Sequence, residues 1–142
     1  MPDHLIVWLA GFLEGEGSFI CSESRSTIKG KEYSYPRLTL QFVSTDYDVA
    51  AKACDLMDTN CNPTKIPYRG IKIPYRGAIS NEKAFDLMKE LFPLMGKRRK
   101  IQIAESIAKW KNADPQLIYD LLDPERRAGA IQKIKAYTPD KE

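Results

Sequence analysis

The pattern of hydrophobic and polar positions predicts a helix, two strands, a second helix, two more strands and then helices to the end of the chain. Residues 4–15 are dense in apolar side chains over a length typical of a helix. Polar and apolar residues alternate in 18–26 and 33–43, as in half-buried strands, with a turn at 27–31 between them. Apolar residues spaced three or four positions apart predict helices over residues 45–58, 80–92 and 98–112.

The two predicted strands place different side chains on their two faces, because successive residues of a strand point in opposite directions. Leu38, Leu40 and Phe42 would face a core, and Phe19 and Cys21 would do the same in the first strand. The opposite faces are rich in hydrogen-bonding groups. These groups are Ser22, Ser24 and Ser26 on the first strand and Arg37, Thr39 and Gln41 on the second.

A near-duplication occupies the middle of the chain, where KIPYRGI at 65–71 is followed by KIPYRGA at 72–78. Proline cannot donate to a strand ladder, so Pro67 and Pro74 suit edge positions or bulges. We interpret the pair as a twisted hairpin. Two copies of seven residues are too few for a solenoid.

The end of the chain is predicted to be helical. Asp114–Pro115 and Asp123–Pro124 each combine a capping residue with a proline at the first helical position, and predict a short helix and a last one to about residue 136. The preceding helix should bury Ile101, Ala104, Ile107 and Ala108. A length of 142 residues fits one compact domain, with residues 113–142 as a helical extension.

Composition and charge narrow the class of partner. The chain is 43% hydrophobic and 29% charged, which is ordinary for a soluble globular protein. Its net charge of +3 is uneven: residues 1–60 carry −4, residues 61–111 carry +8 and residues 112–142 carry −1. A basic middle segment favours an anionic partner such as nucleic acid, although a solvated helix surface explains it as well.

Several protein classes are disfavoured by particular residues. Cys21, Cys54 and Cys61 form an odd set without a CxxC pair, which favours a reducing compartment over a disulfide framework or zinc site. A single histidine, His4, leaves no histidine-based nuclease centre to assemble. The apolar run 5–13 is too short to cross a bilayer and lacks the flanks of a signal peptide. We expect a soluble, intracellular protein without a membrane or small-molecule partner.

The candidate chemistry lies in residues 8–19, WLAGFLEGEGSF. Gly11 and Gly15 would let another helix approach closely, and since each glycine costs about 1 kcal/mol in a helix, a compensating contact is expected. Glu14 and Glu16 stand at the helix C-terminus, where the dipole disfavours negative charge. Such carboxylates suit a hard divalent cation. The residues alone equally allow a glycine-rich helix stop with solvated acids.

Residues 9–17, LAGFLEGEG, resemble the LAGLIDADG motif of homing endonucleases, with Glu14 and Glu16 in place of its two aspartates. The flanking Trp8 and Ser18–Phe19 are also typical of that family, and the element order matches over residues 4 to about 112. The resemblance implies an α+β fold with an αββαββα core and a twisted antiparallel DNA-binding sheet, followed here by C-terminal helices.

The resemblance also implies a metal and a partner. In that family the motif helices of two half-domains pack across a dyad, and the last acid of each binds magnesium. Carried over, the metal-binding positions are Glu16 and Gly15, with Glu14 in a supporting role. One motif per chain implies a homodimer and a pseudo-palindromic target. The implied dimer interface consists of Leu9, Ala10, Gly11, Leu13 and Gly15.

Two further positions near the scissile phosphate follow from the resemblance. Ser44 falls after the second strand, where the family commonly has a longer glutamine. Lys97 and Arg98 fall before the late helix, in a run of four cations that opposes the helix dipole. A nearby polyanion would relieve that conflict, and either cation could stabilise transition-state charge. An exposed helix start explains the run as well.

The strands resemble the DNA-reading sheet of the same family. Arginine and glutamine suit guanine and adenine edges, and the other polar groups suit bases or phosphates. The implied DNA-binding residues are Ser22, Ser24, Ser26, Lys29, Lys31, Arg37, Thr39, Gln41, Tyr68, Arg69, Lys72, Tyr75 and Arg76.

The resemblance thus implies a magnesium-dependent, site-specific double-strand DNA endonuclease that works as a homodimer. The alternative on the same fold is a non-cleaving nucleic-acid-binding protein, either an intron maturase or a DNA-binding regulator. A third reading is an interaction domain without nucleic acid. The presence of both acids favours the nuclease, because a pure binder needs no charge at that helix end.

Overall fold

The computed structural model describes residues 1–64 and 73–137, and within them it contains six α-helices and one four-stranded sheet. A 3₁₀ turn at Phe92–Leu94 precedes the fourth helix. In chain order the elements are α1 Asp3–Glu16, β1 Gly17–Ile28, β2 Lys31–Ser44, α2 Tyr47–Met57, β3 Asn62–Pro63, β4 Tyr75–Ser80, α3 Asn81–Leu91, α4 Lys97–Lys111, α5 Pro115–Leu122 and α6 Arg127–Tyr137. The predicted α+β class and αββαββα order are confirmed.

The sheet is antiparallel, with strand order β1-β2-β4-β3. Its dominant feature is the β1–β2 hairpin, paired from Gly17–Phe42 at the base to Ile28–Lys31 at the tip. The turn residues Lys29 and Gly30 both have positive φ, at 53° and 78°, as a tight two-residue hairpin turn requires. This tight turn makes both strands longer than predicted.

The predicted hairpin between the two heptapeptides is described only in part. Its first copy, 65–71, lies outside the described residues, and so does Lys72 of the second copy. The remainder of the second copy leads into β4, which pairs with β2 along its length and with the two residues of β3 at its start.

The core lies between one face of the sheet and the helices. Leu38, Leu40 and Phe42 are fully buried on that face, as predicted, and Phe19 joins them from β1. Burying a side chain of this size contributes about 1.5–3 kcal/mol. The helices complete the core with Leu9 and Leu13 of α1, Met88 and Leu91 of α3, and Ile103 and Ile107 of α4.

The predicted burial of one residue in the α4 stripe is wrong. Ile101 is 41% exposed, whereas Ile103, Ala104, Ile107 and Ala108 are buried. At 100° per residue, Ile101 points away from the face that carries Ile103. The stripe position one turn before Ile103 is occupied by a charged residue, Arg99, which is also buried.

The last two helices pack on α4 and its neighbours. The predicted cap of α5 is confirmed, since the Asp114 carboxylate accepts a hydrogen bond from the Leu117 amide at 3.3 Å. Ile118 is buried, and the Tyr119 ring meets Phe92 edge-on at a centroid distance of 5.1 Å. Helix α6 begins after a turn at Asp123 rather than directly at the predicted cap. Over residues 1–64 and 73–137, no helix has the length and apolarity needed to cross a bilayer.

Candidate functional site

The end of α1 passes directly into β1. The Gly17 amide donates to the Leu13 carbonyl, and Gly17 is the first residue of the strand. A Cβ at position 17 would lie 2.7 Å from that carbonyl oxygen, so only glycine allows so close a passage. Glu16 is therefore held at the base of the sheet by the chain on both sides.

The two acids of the motif have different environments. The Glu16 carboxylate is exposed and forms no hydrogen bond or ion pair with any described residue. Glu14 is half-buried, and its Oε1 accepts a hydrogen bond from the amide of Gly96, the residue before α4. Its Oε2 lies 3.7 Å from Arg99 Nε. Glu14 is therefore a structural contact, and Glu16 is the acid available to a ligand.

Arg99 was not identified from the sequence. The residue is 8% exposed, and its Nε donates to the main-chain carbonyl of Glu14 at 2.9 Å. Its Nη1 donates to Gln102 Oε1 at 2.8 Å, and the guanidinium lies 5.8 Å from the Phe19 ring centroid. The available signal was its position four residues before Ile103 on the buried stripe.

Lys97 and Arg98 lie at the same end of the molecule as Glu16. They follow Gly96, whose amide donates to Glu14 two residues from Glu16. Both are exposed, and neither has a partner among the described residues. The structure thus brings one free carboxylate and two free cations to the junction of α1, β1 and α4.

Ser44 contacts, through its hydroxyl, the segment that leads into α2. It lies at the end of β2, two residues beyond the Phe42–Gly17 pair. It shares the helix-facing side of the strand with Phe42. Its Oγ accepts a hydrogen bond from the Asp46 amide at 3.2 Å, so the hydroxyl serves the start of α2.

The face of the sheet opposite the core forms an open groove of about 510 Å³. Arg37 Nε donates to Ser80 Oγ at 3.2 Å, and Arg76 Nη2 donates to Gln41 Oε1. These cross-strand hydrogen bonds hold both guanidinium groups over the groove. Its lining is Ile20, Ser22, Arg37, Thr39, Gln41, Arg76, Ala78, Ile79 and Ser80.

The hairpin extends this groove face beyond the core. Ser24 and Ser26 continue it by strand alternation, and Lys29 and Lys31 are exposed at the tip. Tyr33 and Tyr35 lie on the same face, exposed by 48% and 43%. Neither tyrosine was among the predicted DNA-binding residues, although the period of two that placed Arg37 there also places them.

Charge is sorted between the two faces of the hairpin. On the described strands the groove face carries Lys31, Arg37 and Arg76 and no acid. The acids of the hairpin are on the other face, where Glu32 pairs with Arg25 at 3.6 Å and Glu23 accepts from Ser34 at 2.6 Å. The groove therefore presents only positive charge to a ligand.

Tyr75 is not on the groove face. It pairs with Ser44 on the helix-facing side, and its ring packs against Tyr47 with a centroid distance of 4.9 Å. Strand alternation places the neighbouring residues Tyr75 and Arg76 on opposite faces, so Tyr75 does not share the groove face with Arg76. Tyr68, Arg69 and Lys72 lie outside the described residues.

The five residues of the predicted dimer interface lie on two different faces of α1. Leu9, Ala10 and Leu13 are buried in the chain's own core, so their side chains cannot contact a second copy. Gly11 and Gly15 are exposed, and a Cβ built at either position would meet nothing within 4 Å. With Val7, which is 55% exposed, they form one stripe along the outside of α1.

Comparison with known proteins identifies the fold. No family model and no curated protein matches the sequence. Among solved structures, an archaeal intron-encoded homing endonuclease complexed with DNA has a TM-score of 0.54 and 12% identity, over 99% of this chain and 87% of that one. The group I intron-encoded homing endonuclease I-CeuI, also complexed with DNA, has a TM-score of 0.54 and 18% identity, over 87% and 68%.

A third similar structure is described as a LAGLIDADG homing endonuclease. The I-LtrWI LAGLIDADG homing endonuclease, bound to target DNA, has a TM-score of 0.51 and 17% identity over 95% of this chain. The match spans 44% of that longer chain. The chain therefore has the LAGLIDADG homing-endonuclease fold, which confirms at the level of the fold what the sequence resemblance implied.

Proposed function

We propose that the chain is a homing endonuclease of the LAGLIDADG family, which cleaves both strands of a specific DNA site as a homodimer with a divalent metal. The observation that carries this proposal is the free Glu16 carboxylate. It stands at the end of the motif helix, directly before β1, and α4, which begins with the unpaired cations Lys97 and Arg98, contacts the same end of that helix through Gly96 and Arg99. A binding protein alone has no use for an unpaired acid near its DNA.

The groove supports double-stranded DNA as the substrate. A two-stranded ribbon fits the major groove of B-DNA, which is about 12 Å wide. Arginine and glutamine side chains that lie across neighbouring strands can read base edges, and the cations at the hairpin tip can contact phosphates. The similar solved structures are described in complex with DNA.

The donor set fits magnesium when two copies contribute to it. Among the described residues, no three His, Cys, Asp or Glu side chains are grouped closely enough to hold an ion. Glu16 would supply one hard oxygen ligand, and the Gly15 carbonyl would be the adjacent main-chain oxygen. When bound, the cation polarises the phosphate and lowers the pKa of the attacking water. Lys97 and Arg98 would stabilise negative charge on the phosphate.

The dimer brings the two Glu16 residues together. The stripe formed by Val7, Gly11 and Gly15 lets a second α1 helix approach closely along its length, which accounts for two helical glycines that each cost about 1 kcal/mol. A two-fold pair of this kind places the two grooves on the two halves of a pseudo-palindromic site. Residues 113–137 extend the same domain, since α5 packs on α4. The enzyme would work in an intracellular, reducing compartment.

The test is cleavage by purified protein of duplexes selected from a randomised library, with magnesium. We expect Glu16→Gln to lower the cleavage rate about 100-fold or more, because a metal ligand is lost, while DNA affinity is retained. Glu90→Gln removes an exposed acid on α3 and serves as the matched control. If wild-type protein binds one duplex specifically but cuts none with magnesium or manganese, the chain is a non-cleaving binder. If Glu16→Gln cuts as fast as wild type, Glu16 is not the metal ligand.

A further inference from the structure

We propose that Arg99 is a positioning residue for the cleavage reaction, which fixes Glu16 by joining the last turn of α1 to the first turn of α4 through Glu14. The inference rests on the proposed nuclease function. Arg99 does not reach the substrate in this role. It acts through the main chain and side chain of Glu14.

Both Arg99 and the main chain before α4 contact Glu14. Arg99 Nε donates to the Glu14 carbonyl at 2.9 Å and lies 3.7 Å from the Glu14 carboxylate, while the other carboxylate oxygen accepts from the Gly96 amide. A Cβ at position 96 would lie 3.1 Å from Glu14 Oε1, so the two segments are in direct contact. Because Gln102 accepts from Nη1, Arg99 binds two acceptors in different directions. A lysine ammonium has no fixed fork with which to do this.

The electrostatics of both helix ends depend on this contact. A carboxylate at the C-terminus of α1 is disfavoured by that helix dipole, and four cations at the N-terminus of α4 are disfavoured by the other. Glu14 lies in the last turn of α1, and its carboxylate contacts the N-terminus of α4. Its charge is favourable at the N-terminus of α4, and it partly neutralises the cationic run at residues 97–100. The unfavourable charges of the two helices therefore stabilise each other only while the helices meet here.

The consequence for Glu16 follows from its position between two fixed points. Glu14 is held to α4 on one side, and Gly17 is fixed on the other by its approach to Leu13. The main chain of Glu16 therefore has little freedom, although its carboxylate is free. Lys97 and Arg98 start from the same contact, because they directly follow Gly96. The Glu14–Arg99 contact thus fixes the main chain of Glu16 relative to the start of α4, which carries the two cations.

The experiment compares Arg99→Met and Arg99→Lys with Lys109→Met, an exposed cation on the same helix, as control. Arg99→Lys keeps the charge and is the second variant should Arg99→Met fold poorly, with thermal unfolding as the check. We expect both Arg99 variants to bind the selected duplex within about threefold of wild type. Their turnover at saturating DNA should fall about 10–100-fold, the range seen when a metal ligand loses its supporting contact. The magnesium concentration for half-maximal rate should rise.

Glu14 supplies a second pair of variants that separate hydrogen bonding from charge. Glu14→Gln keeps an oxygen that can accept from Gly96 but removes the charge, so its cleavage rate should lie between those of wild type and Glu14→Ala. Glu14→Ala should behave like Arg99→Met. Turnover and magnesium dependence equal to wild type in folded Arg99→Met would overturn the proposal.

Hydrogen exchange tests the same contact without cleavage. In Arg99→Met the amides of residues 12–19 and 94–100 should exchange faster together, while those of α3 remain as in wild type. Unchanged exchange in both segments would also overturn the proposal. If wild-type protein cleaves no duplex, the proposed function fails, and the exchange measurement still decides whether Arg99 fixes the end of α1.

Discussion

The two faces of the sheet are built from alternate residues of the same strands, and they differ in composition, burial and partners. On β2 the side chains of Leu38, Leu40 and Phe42 are fully buried against helices. On the other face Arg37 and Gln41 are accessible in the groove and form hydrogen bonds across strands, whereas Thr39 between them is buried. One strand therefore supplies both the stability of the fold and the surface that meets a ligand, which lets the recognition face vary without loss of the core.

The same comparison shows why charge summed along the sequence was a poor guide to the ligand surface. Residues 1–60 carry a net charge of −4, yet they supply most of the cationic groove. Strand alternation places Glu23 and Glu32 on the far face of the hairpin and leaves Lys31 and Arg37 on the groove face. The field at a binding surface depends on which face each residue occupies, more than on segment totals.

The largest expected difference between the faces is in stability. Leu40→Ala should lower the free energy of unfolding by about 2–5 kcal/mol, because it leaves a cavity in the core. Gln41→Ala, one residue further on the same strand, should change it by less than about 0.5 kcal/mol, since its side chain is on the surface. Urea unfolding of the two variants measures both values. Equal destabilisation would mean that the groove face also carries the fold.

The second expected difference is in DNA affinity. Arg37→Ala should weaken binding of the selected duplex by about 1–3 kcal/mol, the range for one arginine contact to a base. Arg25→Ala removes an arginine from the opposite face of the same hairpin and should have almost no effect. Fluorescence anisotropy at several salt concentrations gives the affinities. A shallower salt dependence for Arg37→Ala alone would indicate a phosphate contact instead of a base contact. If both variants bind alike, the groove is not the DNA surface.

Much of this comparison could be predicted from the sequence. A period of two assigned Leu38, Leu40 and Phe42 to the core, and the structure confirms it. The same rule also extends the groove face to Tyr33 and Tyr35, which lie on the same face of β2 as Arg37. It could not assign Tyr75, because the face of β4 depends on its pairing with β2, and pairing between distant segments is not encoded in local alternation.

The candidate site could be predicted only where it is local. Glu16 was identified from the motif, and its exposed position is compatible with that role. The partner of Glu14 lies 82 positions further along the chain, and no local pattern links the two. The cationic run 97–100 looks uniform in sequence, but folding divides it into the buried Arg99 and the exposed Lys97 and Arg98.

The surface of α1 shows a related limit of the sequence. A residue-by-residue match to the motif does not separate the two faces of the helix. The large apolar residues Leu9 and Leu13 are buried in the chain's own core, because their burial there removes a large apolar area from water. The glycines remain outside, and they are the positions at which a second helix could approach.

The smallest expected effect concerns a titratable group on the helix-facing side. Cys54 is buried beneath β4, where a Cβ at Gly77 would lie 2.5 Å from its sulfur. Burial, together with a hydrogen bond to the Cys61 thiol, raises the pKa of Cys54 from 9.0 to about 12. Since the unfolded chain loses this proton at lower pH than the folded chain, the free energy of unfolding should be unaffected below pH 9. It should then fall as the pH rises from about 9 towards 12.

The thiolate is the reactive form of cysteine, so the same shift predicts the order of alkylation in the folded protein. At pH 8.5 iodoacetamide should label the half-buried Cys61 before Cys54, and urea should bring the two rates together. Mass spectrometry of the digested protein measures both rates. Cys54→Ala should also remove part of the loss of stability between pH 9 and 11, whereas Ser22→Ala, on the groove face, should leave that loss unchanged. Rapid labelling of Cys54 in the native state would mean that β4 does not cover this face as tightly as the packing around Gly77 requires.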